Sequence, residues 1–209
     1  MITSRDILGA IRGVFAMARA DERWTERLDM SAEAVFRSFW AIPFAILPHL
    51  LVVEGSRQLD QVTGAFSFAG VNPVTHAAVQ TVFLLIAWGL QLFVLASLAG
   101  KRRAGWRVSP LLIGYNWAIF LSRMMTGLVI GVALLIGQPA LAGVLIIGVL
   151  GFSLWLEWGV LRRALQTGPG PTAGIMFLLA AVSFAVSIAM TLVLDQLGLS
   201  LSGDAPGSG

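Results

Sequence analysis

The stretch PLLIGYNWAIFLSRMMTGLVIGVALLI, residues 110–136, decides the fold. It carries a single charge, Arg123, and is followed across Gly137-Gln138-Pro139 by a second apolar run over 140–161. A helix rises about 1.5 Å per residue, so about 20 apolar residues cross a hydrocarbon core about 30 Å thick. Both runs meet that length. So do 77–99 and 173–195, and a shorter run over 37–54 carries Pro43 and Pro48. The shorter run reads as a kinked helix continuous with a helical stretch from Ala32 to Phe39, or else as a re-entrant or interfacial element. Breaks such as Gly168-Pro169-Gly170-Pro171 mark the turns between runs.

The whole composition agrees. Of 209 residues, 57% are hydrophobic and 12% charged, where a soluble domain carries about a quarter charged. The mean hydropathy is +0.83. With no cysteine, a disulfide framework, a thiolate nucleophile and a Cys-based metal or iron–sulfur site are excluded. The net charge is only +3, and the basic residues lie between apolar runs rather than on one folded face. That pattern speaks for a lipid bilayer as partner and against nucleic acid.

The charges also set a direction. Arg5, Arg12, Arg19, Arg23, Arg27 and Arg37 precede the first run. Arg57 alone lies in the next connection, and Lys101, Arg102, Arg103 and Arg107 in the one after. The third connection has none, the fourth has Arg162 and Arg163, and the tail has none. Twelve on one side against one on the other predict a cytoplasmic N-terminus and a C-terminus on the far side. Trp40, Trp106, Trp155 and Trp158 fall near the cytoplasmic ends as interfacial anchors, and Trp88 and Trp117 lie deeper.

Ahead of the spans, Ile7, Leu8, Ile11, Val14, Phe15 and Ala18 recur at helical spacing, with Arg5, Arg12 and Arg19 largely off that face. Thr3 and Asp6 have the spacing of a capping box. The expectation is an amphipathic helix, lying in the cytoplasmic interface or packed on the protein's own surface. Charges interrupt any signal-peptide core. Six basic and six acidic residues up to position 37 rule out a polybasic lipid patch.

Polar groups inside spans are costly and mark the candidate site: His49, Glu54, Gln91, Asn116, Arg123 and Glu157. Counted from the cytoplasmic ends, Glu157 lies about 6 Å deep, Asn116 about 9 Å, Gln91 about 12 Å, His49 about 17 Å, Arg123 about 20 Å and Glu54 about 25 Å. Arg123 and Glu157 are then poor partners, about 14 Å apart in depth. Glu157 is left to Tyr115, Asn116 or the nearby Arg162 and Arg163. Arg123 reaches Glu54 or His49 if the first span packs on the third. It either caps backbone carbonyls freed by Pro48 or meets a ligand in a cavity. His76 falls near the far surface, away from His49.

Catalytic patterns are missing. Gly151-Phe152-Ser153 is a Gly-x-Ser triplet with no histidine following it. There is no His-Glu-x-x-His, P-loop or Gly-x-Gly-x-x-Gly. No enzyme activity, cofactor or metal is expected. Small residues do recur at helical spacing: Gly127 with Gly131, and Ser183 with Ser187. Such stripes pack helices, within one bundle or across a homodimer.

Leu28 to Trp40 leading into a Pro-kinked first span, and the entry Ser109-Pro110-Leu111 to Asn116-Trp117 into span three, resemble the Yip1 family, in particular its small bacterial members. The resemblance lies in layout, and no family motif matches residue by residue, so no site residue is carried over. It implies a non-enzymatic five-span protein. Eukaryotic members are associated with membrane trafficking and small GTPase partners.

The expected architecture is an all-α membrane protein: a cytoplasmic segment over 1–36, a five-helix transmembrane bundle over 37–197 and a flexible far-side tail over 198–209. Two functions stay open. One is a membrane-organising or partner-binding protein, acting alone, as a homodimer or with other membrane proteins. The other is a small permease or channel with a polar cavity around Arg123. The Arg-, Ala- and Gly-rich composition suits a bacterial inner (plasma) membrane.

Overall fold

A computed structural model describes residues 2–63, 72–101 and 107–196, and every regular element in them is a helix. In chain order these are α1 (Ser4–Ala18), α2 (Trp24–Arg27), α3 (Ala32–Ser38), α4 (Ala41–Thr63), α5 (Pro73–Lys101), α6 (Val108–Leu135), α7 (Pro139–Leu165) and α8 (Pro169–Gln196). Five segments are long and apolar enough to cross a membrane: Ala32–Gln58, Pro73–Gly100, Val108–Leu135, Leu141–Leu165 and Pro169–Leu194. The tail over 198–209, and Arg102, Arg103 and Trp106, lie outside the described residues.

Proline placement explains where helices begin. Pro73, Pro139 and Pro169 each open a helix, where the missing N–H has no intrahelical partner to lose. Pro43 acts differently. The stretch from Ala32 does not run unbroken into the first span as its sequence suggests; α3 stops at Ser38 and α4 starts at Ala41. The Pro43 ring cannot donate to the Phe39 carbonyl and crowds it. The backbone tightens there into i→i−3 bonds, Trp40 N–H to the Arg37 oxygen at 3.2 Å and Ile42 N–H to the Phe39 oxygen at 3.1 Å. Pro48 lies inside α4 without ending it. The 23 residues of α4 run about 34 Å, a crossing length.

Helix α6 is the hub, packed against α4, α5, α7 and the short helices α1 and α3. The interior is built from Trp88, Trp117, Tyr115, Leu111, Leu156 and Leu161. Helix α8 packs chiefly on α5 and α7 and is the least buried span. Gly127 marks the closest approach of α4 to α6: a Cβ there would stand 2.7 Å from the Pro48 carbonyl oxygen and 2.9 Å from its Cα. Gly131, one turn on, has room, with the Leu51 methyl 3.7 Å away. The Gly-x-x-x-Gly stripe therefore faces this chain's own α4.

Helices α1–α3 form a collar on one end of the bundle. The capping box at Thr3 closes, with the Thr3 N–H donating to Asp6 Oδ2 at 2.8 Å and the Asp6 N–H to Thr3 Oγ1 at 3.3 Å. Gly13, Val14, Ala16 and Met17 are buried, and α1 packs on α6 and α7 rather than standing off. Helix α1 ends with Ala20 at φ 60°. The Asp21 N–H bonds back to the Ala16 oxygen at 2.9 Å, the reversal that satisfies the last carbonyls of a helix. Arg163 of α7 donates to the Ala20 carbonyl at 3.0 Å and pins that reversal. Close by, Arg107 donates to the Leu165 carbonyl at 2.9 Å and to Gln166 Oε1 at 2.8 Å, placing a cation where the α7 dipole is negative.

Arg37 ties the collar together, pairing with Asp29 at 2.8 Å, Glu33 at 2.9 Å and Asp6 at 3.9 Å. Hydrogen bonds from the Thr3 side chain and backbone, then the Arg37 charge, hold the Asp6 carboxyl below the usual carboxylate range. The Ser31 backbone and side chain, then Arg37, do the same for Asp29. Both groups bind protons less readily folded than unfolded. Their stabilisation is complete above the unfolded carboxylate range and is lost as pH falls through the depressed folded values. Hydrogen exchange of α1–α3 amides, corrected for intrinsic rates, should therefore accelerate between about pH 5 and about pH 3 while α4–α8 stay protected.

Candidate functional site between α4, α5 and α6

The structure separates the six polar residues into distinct arrangements. Asn116, fully buried, is a tie: its Oδ1 accepts from Trp88 Nε1 at 3.0 Å and its Nδ2 donates to Ser38 Oγ at 2.9 Å. That joins α3, α5 and α6. Gln91 donates to Ser183 Oγ at 2.7 Å and joins α5 to α8. Ser187, a turn further, is exposed. Glu54 accepts two bonds from Arg57, at 2.7 and 2.9 Å, and one from Gln58 at 2.9 Å, all on its own helix. Unpaired amides are costly away from water, so the Asn116 and Gln91 contacts hold helices together. Asn116→Leu orphans the Trp88 N–H and should cost about 1–2 kcal/mol of stability. Thermal unfolding in detergent would read it, and an unchanged midpoint would mean the tie carries no load.

His49 and Arg123 come together elsewhere. They line a cavity of about 190 Å³ between α4, α5 and α6, with Val52, Val53, Ser56, His76, Gln80, Phe83 and Leu84. His49 Nε2 lies 3.2 Å from the Gln80 carbonyl oxygen. A carbonyl only accepts, so Nε2 carries the proton and Nδ1 presents a lone pair in the neutral ring. That Nδ1 is buried without a hydrogen-bond partner. The Gln80 amide nitrogen approaches His76 Nε2 at 3.4 Å. His76 is not remote from His49, as its position before the second apolar run suggests. Helix α5 starts at Pro73, four residues ahead of that run, and its first turns lie beside the middle of α4. Among the described residues, no group of three His, Cys, Asp or Glu is placed to hold a metal ion.

Arg123 makes no hydrogen bond or ion pair with any described residue. The charge nearest in effect is Glu157 of α7, and each feels the other's field. Helices α6 and α7 run antiparallel with Gly114 against Val160, which sets Glu157 level with Trp117, about 9 Å along the axis from Arg123. The separation is smaller than depth counting suggests because α7 continues past Leu161 to Leu165. Tyr115, fully buried, lies in the field of both.

Sequence reading missed His76, Gln80 and Ser56 as lining residues. One signal was present: His76 and Gln80 are four apart, on one face of a helix.

Compared with known proteins, the chain matches no family model, no curated protein and no solved structure.

Proposed function

We propose that this is a non-enzymatic, multi-pass integral membrane protein of Yip1-like type that acts by binding other membrane components. Its collar lies in the cytoplasm, its C-terminal tail on the far side, and its home is a bacterial inner membrane. The positive-charge asymmetry of the connections supports that orientation. The observation that carries the binding function is the collar itself. Anchored on α6 and α7, it exposes Phe36 (75%) and Leu8 (53%) among paired charges. Large apolar side chains on a charged, anchored surface suit a partner membrane protein or a second copy of the chain. Phe36→Asp with Leu8→Asp, both at exposed positions, should abolish capture of that partner after crosslinking in native membranes and leave the melting point unchanged. A wild-type protein that crosslinks to nothing and runs as a monomer would overturn this function.

A second function, a small permease or channel, is favoured by the polar cavity around Arg123. It requires flux of some small solute through proteoliposomes that Arg123→Ala abolishes.

A further inference from the structure

Arg123 presents an unusual charge balance. Its guanidinium lies in a membrane-spanning helix, about 22 Å from the start of α6 and about 18 Å from its end. There it lines a cavity and makes no ion pair with a described residue. Away from water an unpaired cation is costly, so such sites pair or hold a counter-ion. The nearby carboxylates do not fill the role. Glu54 has both oxygens engaged by Arg57 and Gln58. Glu157 sits on α7 and does not line the cavity.

The remaining lining narrows the ligand. His49 has spent its Nε2–H on the Gln80 carbonyl and keeps an unpartnered Nδ1 lone pair. A ligand that suits both residues brings negative oxygen for the guanidinium and a hydroxyl for the imidazole. Ionised carboxylate and sulfate have no O–H. A protonated phosphate group has both, and the planar guanidinium fork takes two of its oxygens at once.

We propose that the cavity between α4, α5 and α6 is a phosphate site, with Arg123 holding the anionic oxygens and His49 accepting from the phosphate hydroxyl. The phosphate is inorganic phosphate or the monoester headgroup of a lipid. Val52, Val53, Phe83 and Leu84 give the cavity an apolar wall for the rest of a lipid. The site rests on the cavity that favours the permease function, but not on transport. Binding without flux sustains the site and defeats the permease.

The test uses the full chain in a maltoside detergent, which contains no phosphate. Inorganic phosphate, short-chain phosphatidic acid and sulfate are titrated separately at matched ionic strength, with binding read from thermal stability and, for the two phosphorus probes, ³¹P line width. Phosphate or phosphatidic acid should bind and sulfate should not; whichever of the two binds names the source. Arg123→Gln should weaken binding about 10- to 100-fold. His49→Phe leaves the guanidinium in place and should erase the preference over sulfate, which keeps the test open if Arg123→Gln fails to fold. Failure of both phosphate probes, equal binding of sulfate by the wild type, or undiminished binding by a folded Arg123→Gln would each overturn the site.

Discussion

Gly127→Ala is expected to destabilise the bundle, whereas Gly131→Ala, one turn away in the same motif, is neutral or stabilising. Alanine in a helix interior gains about 0.5–1 kcal/mol over glycine at either position. At 131 that gain survives, because the nearest atom is a leucine methyl 3.7 Å away. At 127 the new methyl meets the Pro48 carbonyl oxygen and Cα, at 2.7 and 2.9 Å. Those are backbone atoms of α4 and cannot rotate aside. Pro48 has already removed one hydrogen bond from that part of α4. Moving the helix apart costs about 1–3 kcal/mol, which exceeds the propensity gain. Thermal unfolding in detergent reads the contrast. Equal midpoints for the two variants would show that α4 and α6 do not meet at Gly127, and a loss confined to Gly131→Ala would place the contact one turn away.

Gly159→Ala is expected to release the collar and leave the spans intact. A Cβ at 159 would collide with the Cα of Ala18, and would stand 2.7 Å from its nitrogen and 2.9 Å from the Met17 carbonyl oxygen. The obstacle is again backbone, the last turn of α1 lying across α7. A cost of about 1–3 kcal/mol falls on docking alone, so amide exchange in α1 should quicken about 5- to 150-fold. Trypsin should cut at Arg19 and Arg23, both exposed. Gly151→Ala, where a Cβ meets nothing within 4 Å, is the control on the same helix. Unchanged exchange in α1 would mean that the helix does not rest on α7.

The five apolar runs were legible because hydropathy reports directly on transfer from water to lipid. Those at 77–99, 140–161 and 173–195 lie within single helices, 110–136 passes the end of α6 by one residue, and 37–54 straddles the break between α3 and α4. Their ends were less so. The run at 140–161 stops before Arg162 and Arg163, yet α7 continues to Leu165, because a helix that reaches the interface carries its arginines with it. That difference moves Glu157 toward Arg123. Facing was harder still. His49, Glu54 and Arg123 look alike in a sequence, as costly groups in apolar runs, but Glu54 binds its own helix while His49 and Arg123 share a cavity. Which face turns inward depends on contacts such as Gly127 on Pro48 and Gly159 on Ala18, between residues far apart in the chain. The Gly-x-x-x-Gly spacing gave one of these away; the lone Gly159 carried no pattern to read.

In the proposed topology the bundle crosses the membrane five times, with the collar and the C-terminal tail on opposite sides. The chain has no cysteine, so single cysteines placed at Glu22 and Ser208 can be tested with a membrane-impermeant maleimide on spheroplasts. Ser208→Cys should label in intact spheroplasts, and Glu22→Cys only after lysis. Labelling of both positions from the same side would require an even number of crossings and overturn that topology.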